Sequence, residues 1–95
     1  MANMISSQSG DMKLITAAQM RAARGLIRWS AEQLAEEAKI GVATVRRAEI
    51  MDGPLTITAA NAAAIQSALE AAGVIFVAEN GEGPGVRLRK KGKGE

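Results

Sequence analysis

The twenty residues from Ser30 to Glu49, SAEQLAEEAKIGVATVRRAE, constrain the fold of this chain more than any other stretch. Ser30 is a good N-cap, and Gln33 stands three positions later, the spacing of a capping box. The helix that Ser30 opens should end near Ala38. Lys39-Ile40-Gly41 interrupts it, and Gly41 is a permissive N-cap for a second helix from Val42 to about Met51. Val45 and Ala48 of that helix face inward, while two adjacent arginines, Arg46 and Arg47, cannot both do so. A short amphipathic helix, a tight break and a second short helix carrying Arg46 and Arg47 are the layout of a helix-turn-helix.

The flanking segments fit around that pair. Thr16-Ala17-Ala18-Gln19 starts an earlier helix running to about Arg28, with Met20, Ala23 and Ile27 on one stripe. Gly25 weakens this helix slightly, as expected where a neighbouring helix comes close. Trp29, just before the Ser30 cap, is placed to staple onto Leu34. Asp52-Gly53-Pro54 ends the third helix. Thr58 caps a fourth, Ala59 to Ala72, with Ala62, Ile65, Leu69 and Ala72 at core spacing and Gly73 as its stop.

The period then changes from helix to strand. Val74 to Ala78 is β-rich and apolar on both faces, Asn80 to Gly85 is a glycine-rich turn, and Val86 to Arg89 alternates apolar with basic. The two strands read as a hairpin. A lone hairpin is marginal, so it should pack on the fourth helix and pair with the same hairpin of a second subunit. Ile75, Val77, Val86 and Leu88 are the residues assigned to that dimer contact. The chain thus divides into a flexible segment 1–12, a helical domain 13–73, a hairpin 74–90 and a basic flexible tail 91–95. The fold class is mainly α, four helices with a C-terminal β-hairpin.

Composition narrows the chemistry. The 95 residues include no Cys, His or Tyr, so disulfides, thiolate metal sites and the commonest general base are missing. No catalytic residue, metal or cofactor is expected, and the chain does not read as an enzyme. Glycines 81, 83 and 85 are followed by a strand and by no Lys-Ser/Thr, which rules out a P-loop. Trp29 and Phe76 both have core duties, so single-stranded bases would find no stacking platform. No run is apolar enough for a membrane span and no signal peptide is visible, which points to a cytoplasmic protein. The formal charge is +2, unevenly spread. The last ten residues carry five basic side chains against one acidic, a net +4; the other 85 carry seven against nine, a net −2. Any attraction to a polyanion must therefore come from a local surface.

These residues resemble the phage-repressor/Cro class of helix-turn-helix regulators, the XRE family. More narrowly they resemble its small bacterial members that end in a segment like GVIFVAENGEGPGVRLRK, residues 73–90. The likeness extends from Lys13 to Lys90. It implies inward positions at Leu34, Ala35, Ile40, Val45 and Ala48, and a structural ion pair between Arg24 and Glu49. It also implies a function: sequence-specific binding of double-stranded DNA by a homodimer, with repression at an inverted-repeat operator in the bacterial nucleoid.

In that family, base edges meet the first turn and outward face of the third helix, here Val42, Ala43, Thr44 and Arg47. Arg47 suits guanine, Val42 or Ala43 a thymine methyl, and Arg46 the sugar-phosphate backbone. Two positions depart from the pattern. Lys39 stands where the family usually has Gly in the turn. Ala31 stands where a Gln often binds phosphate, a role that falls instead to Ser30, Gln33 and the N–H groups of the second helix. Arg21 and Arg28 are left for phosphate contact or for plain solubility. The rival reading is a protein-interaction module, such as an antitoxin or an antiactivator, with a protein partner and weak or no DNA binding.

Overall fold

The computed structural model describes residues 15–50 and 57–90. Within them the chain forms four helices and one antiparallel hairpin: α1 (Ala17–Ile27), α2 (Ala31–Ala38), α3 (Val42–Glu49), α4 (Ala59–Ala71), β1 (Val74–Val77) and β2 (Gly85–Leu88). The terminal segments 1–12 and 91–95, Met51 and the Asp52-Gly53-Pro54 stop signal lie outside the described residues.

Side chains that cap free N–H groups set the helix starts. Thr16 accepts from the Gln19 N–H at 3.0 Å, and the Gln19 side chain accepts from the Thr16 N–H at 2.9 Å, a complete capping box. Ser30 accepts from Gln33 N–H at 3.0 Å and Thr58 from Asn61 N–H at 3.1 Å. Gly41, with no side chain, leaves α3 without such a bond.

The helix ends follow equally local rules. Both α1 and α2 stop at a left-handed residue, Arg28 at φ 57° and Lys39 at φ 58°. Each is a non-glycine residue paying a modest steric cost to turn the chain sharply. Gly73 follows α4 at φ 107°, where a Cβ would be strained, and sends the chain into β1. Its carbonyl accepts from Arg89 N–H at 2.7 Å, which carries the hairpin's pairing up to the end of the helix.

The core joins all four helices to the hairpin. Met20, Leu34, Val45, Ile65, Leu69 and Val74 are fully buried, with alanines 17, 23, 35, 38, 48 and 62 filling the crossings between them. Small side chains let the backbones approach closely, so the large residues can interlock across a short distance. Trp29, Ile27, Ile40, Phe76 and Val86 pack at the margin. Two expectations change here. Ala72 is half-buried as the cap of α4 and is not a core residue. Gly25 is exposed, and a Cβ there would meet nothing within 4 Å, so no neighbouring helix among the described residues exploits its small size.

The hairpin pairs Val74 with Leu88, Ile75 with Arg87, Phe76 with Val86 and Val77 with Gly85. Directly opposed residues share a face and neighbours alternate. Phe76 and Val86 therefore lie with Val74 on the core side. Ile75 and Val77 lie on the other side with Arg87. This corrects the assignment of Ile75, Val77, Val86 and Leu88 to one contact surface, because the register divides them two and two. Leu88, 48% exposed, sits at the open margin of the core side, beside Ile27 and residues 71–73.

Candidate nucleic-acid interface

The site under consideration is α3, an eight-residue helix braced by its neighbours. Val45 and Ala48 are fully buried, and Glu49 is 9% exposed. Ala43, Arg46 and Arg47, at i, i+3 and i+4, form one edge that faces solvent. Val42 and Thr44 are half-buried, and Val42 leans on the core, so it offers less surface to a partner than Ala43 does.

The brace from α1 is ionic. Arg24 Nε donates to Glu49 Oε2 at 2.7 Å and its Nη2 donates to Oε1 at 2.8 Å, a bidentate pair. The remaining Nη1 donates to the Trp29 carbonyl at 2.7 Å. The bond to Glu49 raises the Arg24 pKa further against the opposing effect of burial. Arg21 reaches the same place, its Nη1 donating to the Glu49 carbonyl at 2.6 Å. Two cationic side chains of α1 thus meet the C-terminal end of α3, where the helix dipole favours positive charge. Arg21 is bound in this way and does not stand free on the surface.

The two outward arginines differ. Arg47 has no hydrogen-bond or ion-pair partner among the described residues. Arg46 is held by Glu32 of α2 through its Nη2. That bond is the first cause of a Glu32 pKa below the usual glutamate range. The chain matches no protein-family model, and no curated protein matches it.

At the start of α2, the Ser30 oxygen is occupied by the Gln33 N–H, while the Gln33 side chain is exposed. Both lie on the same helix as Glu32, which places a carboxylate beside the N–H groups expected to meet phosphate. Arg28, at the end of α1, is exposed. Among the described residues no cluster of acidic, His or Cys side chains is arranged to hold a metal ion. Nor is any helix among them long and apolar enough to cross a membrane.

Sequence reasoning missed these partners of Gln19, Glu79 and Arg46. Gln19, already half of a capping box, donates from Nε2 to the Gly85 carbonyl at 2.9 Å and to the Val77 carbonyl at 3.4 Å. Glu79 Oε2 accepts from the Gly81 and Gly83 N–H groups at 3.0 and 3.1 Å, which organises the glycine turn. Arg46 pairs with Glu32. Only the second left a local signal, a carboxylate two and four residues ahead of glycines in a turn.

Proposed function

We propose that the chain is a sequence-specific, double-stranded DNA-binding regulator of the phage-repressor/Cro type, acting as a repressor. One observation carries the reading: α3 is fixed on its inner side by Val45, Ala48 and Glu49 and exposes Ala43 and Arg47 on its outer edge. A rigid helix of this diameter fits the DNA major groove, and an arginine without a partner among the described residues can donate two hydrogen bonds to a guanine edge. Ser30 and Gln33 lie at the neighbouring helix start, where phosphate contact would fix the register. Arg46 serves the backbone once released from Glu32.

Two copies joined through the hairpin would present two α3 helices about one DNA turn (~34 Å) apart, matching an inverted repeat. The contact surface for that homodimer is the Ile75 and Val77 side of the hairpin. The resemblance of residues 31–49 and 73–90 to the family supports both parts of the proposal.

The test is selection from fragmented genomic DNA at fixed salt, followed by gel shifts on the selected duplex. Arg47→Ala should weaken binding by roughly 10- to 100-fold, the loss expected for one bidentate base contact. Circular dichroism should show its fold intact. Unchanged affinity would remove Arg47 from the interface, and failure to select any duplex would favour the protein-partner reading.

A further inference from the structure

The Glu32 carboxylate stands in the first turn of α2, beside the Ser30 cap and Gln33. It is bound to Nη2 of Arg46. An arginine and a helix N-terminus are the two kinds of donor that hold a phosphate oxygen in such complexes. Here the arginine is met by a side chain of the protein itself, carried on the first turn of α2. The two partners are 53% and 64% exposed, so solvent and salt screen the pair and it opens at little cost.

We propose that Glu32 is an internal stand-in for a DNA phosphate, occupying Arg46 until a duplex displaces it and so holding down affinity for DNA of any sequence. The proposal rests on the DNA-binding reading above. Displacement has two consequences. Arg46 exchanges one anion for another, which yields less than a free arginine would gain. The released carboxylate is then left beside the sugar-phosphate backbone, where it repels phosphate and attracts a cation from solution. Each arginine–phosphate contact normally expels about 0.9 of a condensed cation from B-DNA. Uptake of a cation by Glu32 cancels much of that release, so the native pair flattens the salt dependence of binding.

The experiment compares the unaltered chain with Glu32→Gln on a random-sequence duplex, measuring the dissociation constant between about 50 and 200 mM salt. Glu32→Gln should bind roughly three- to tenfold more tightly at the low-salt end, and the slope of log Kobs against log salt should steepen by up to about 0.9. Its melting temperature should match that of the unaltered chain, because the replaced carboxylate is exposed. Arg46→Ala and the Arg46→Ala/Glu32→Gln double variant complete the cycle. Without Arg46, Glu32→Gln should gain less, keeping only the relief of carboxylate–phosphate repulsion, and an equal gain in both backgrounds would overturn the pairing as the cause. Proton titration followed by NMR should also show the Glu32 carboxyl returning toward its ordinary range in Arg46→Ala. If the unaltered chain binds duplex but Glu32→Gln binds no tighter with the same slope, this inference fails and the DNA reading stands. If neither protein binds any duplex at low salt, the DNA reading fails and takes the inference with it.

Discussion

Arg24 and Glu49 face each other squarely across α1 and α3, joined by two parallel hydrogen bonds of 2.7 and 2.8 Å. The geometry suits the planar guanidinium, and its third donor is spent on the Trp29 carbonyl. One side chain therefore ties the end of α3 to the linker that precedes α2. Glu49→Ala strands a mostly enclosed cation, whose side chain is 24% exposed. Breaking a fully buried pair costs 3–5 kcal/mol; with this residual exposure about 2–3 kcal/mol is expected, read by urea denaturation. Arg24→Lys should recover little of the pair's stability, because an ammonium cannot span both carboxylate oxygens and the carbonyl together. A loss below about 0.5 kcal/mol for Glu49→Ala would mean that the pair is merely a surface contact.

Gln19 offers a separate lever on the hairpin. Its side chain completes the Thr16 cap and holds the carbonyls of Val77 and Gly85, the residue pair nearest the turn. Gln19→Ala should lose both functions. Hydrogen exchange should then quicken selectively in residues 74–88, while amides of α2 and α3 keep their protection. Uniform loss across the domain would show instead that α1 is destabilised as a whole.

The starts of α1, α2 and α4 were legible because capping is a transaction between residues three apart. The end of α4 at Gly73 was legible for a similar reason, since left-handed φ favours one residue type. Lys39 shows the limit of that logic: α2 ends in the same left-handed geometry without a glycine, and a break was readable only from the change in pattern. Neither Gln19 meeting Gly85 nor Arg46 meeting Glu32 could be foreseen from spacing, because 66 and 14 residues separate them. Such partners depend on how helices cross, and nothing in the period of either helix fixes that. The Arg24–Glu49 pair was reached only through family resemblance, not through the residues around it. The two faces of β1 were legible from alternation, but the register that puts Val86 and Leu88 with Phe76 and Val74 was not.

Gly25 and Lys39 stand in each other's natural places, which gives a paired prediction. Gly25 is in a helix with open space at its Cβ position, so Gly25→Ala should raise stability by about 0.5–1 kcal/mol. Lys39 sits at φ 58°, so Lys39→Gly relieves strain and should gain up to about 1 kcal/mol. For a domain of this size each kcal/mol moves the melting temperature by roughly 4–8 °C, within reach of calorimetry. The sites are on different helix ends and share no partner, so the gains should add. A destabilised Gly25→Ala would mean that something covers that surface in solution.

The hairpin register separates folding from association. Val86 shares the core side with Phe76, so Val86→Ala should lower the melting temperature, at a cost of about 1–2 kcal/mol for a partly buried valine, without changing the number of chains in the particle. Ile75 and Val77 lie on the side away from the core, and that surface is the proposed seat of a second copy. Val77→Lys should therefore leave the helical circular dichroism signal in place while sedimentation moves from a two-chain to a one-chain mass. Because dimer stability depends on concentration, the melting temperature of the unaltered protein should rise with protein concentration, and that of Val77→Lys should not. The opposite outcome, with Val86→Ala dissociating the particle and Val77→Lys leaving it whole, would place the copy-to-copy contact on the Val86 and Leu88 side and require the hairpin to leave the core.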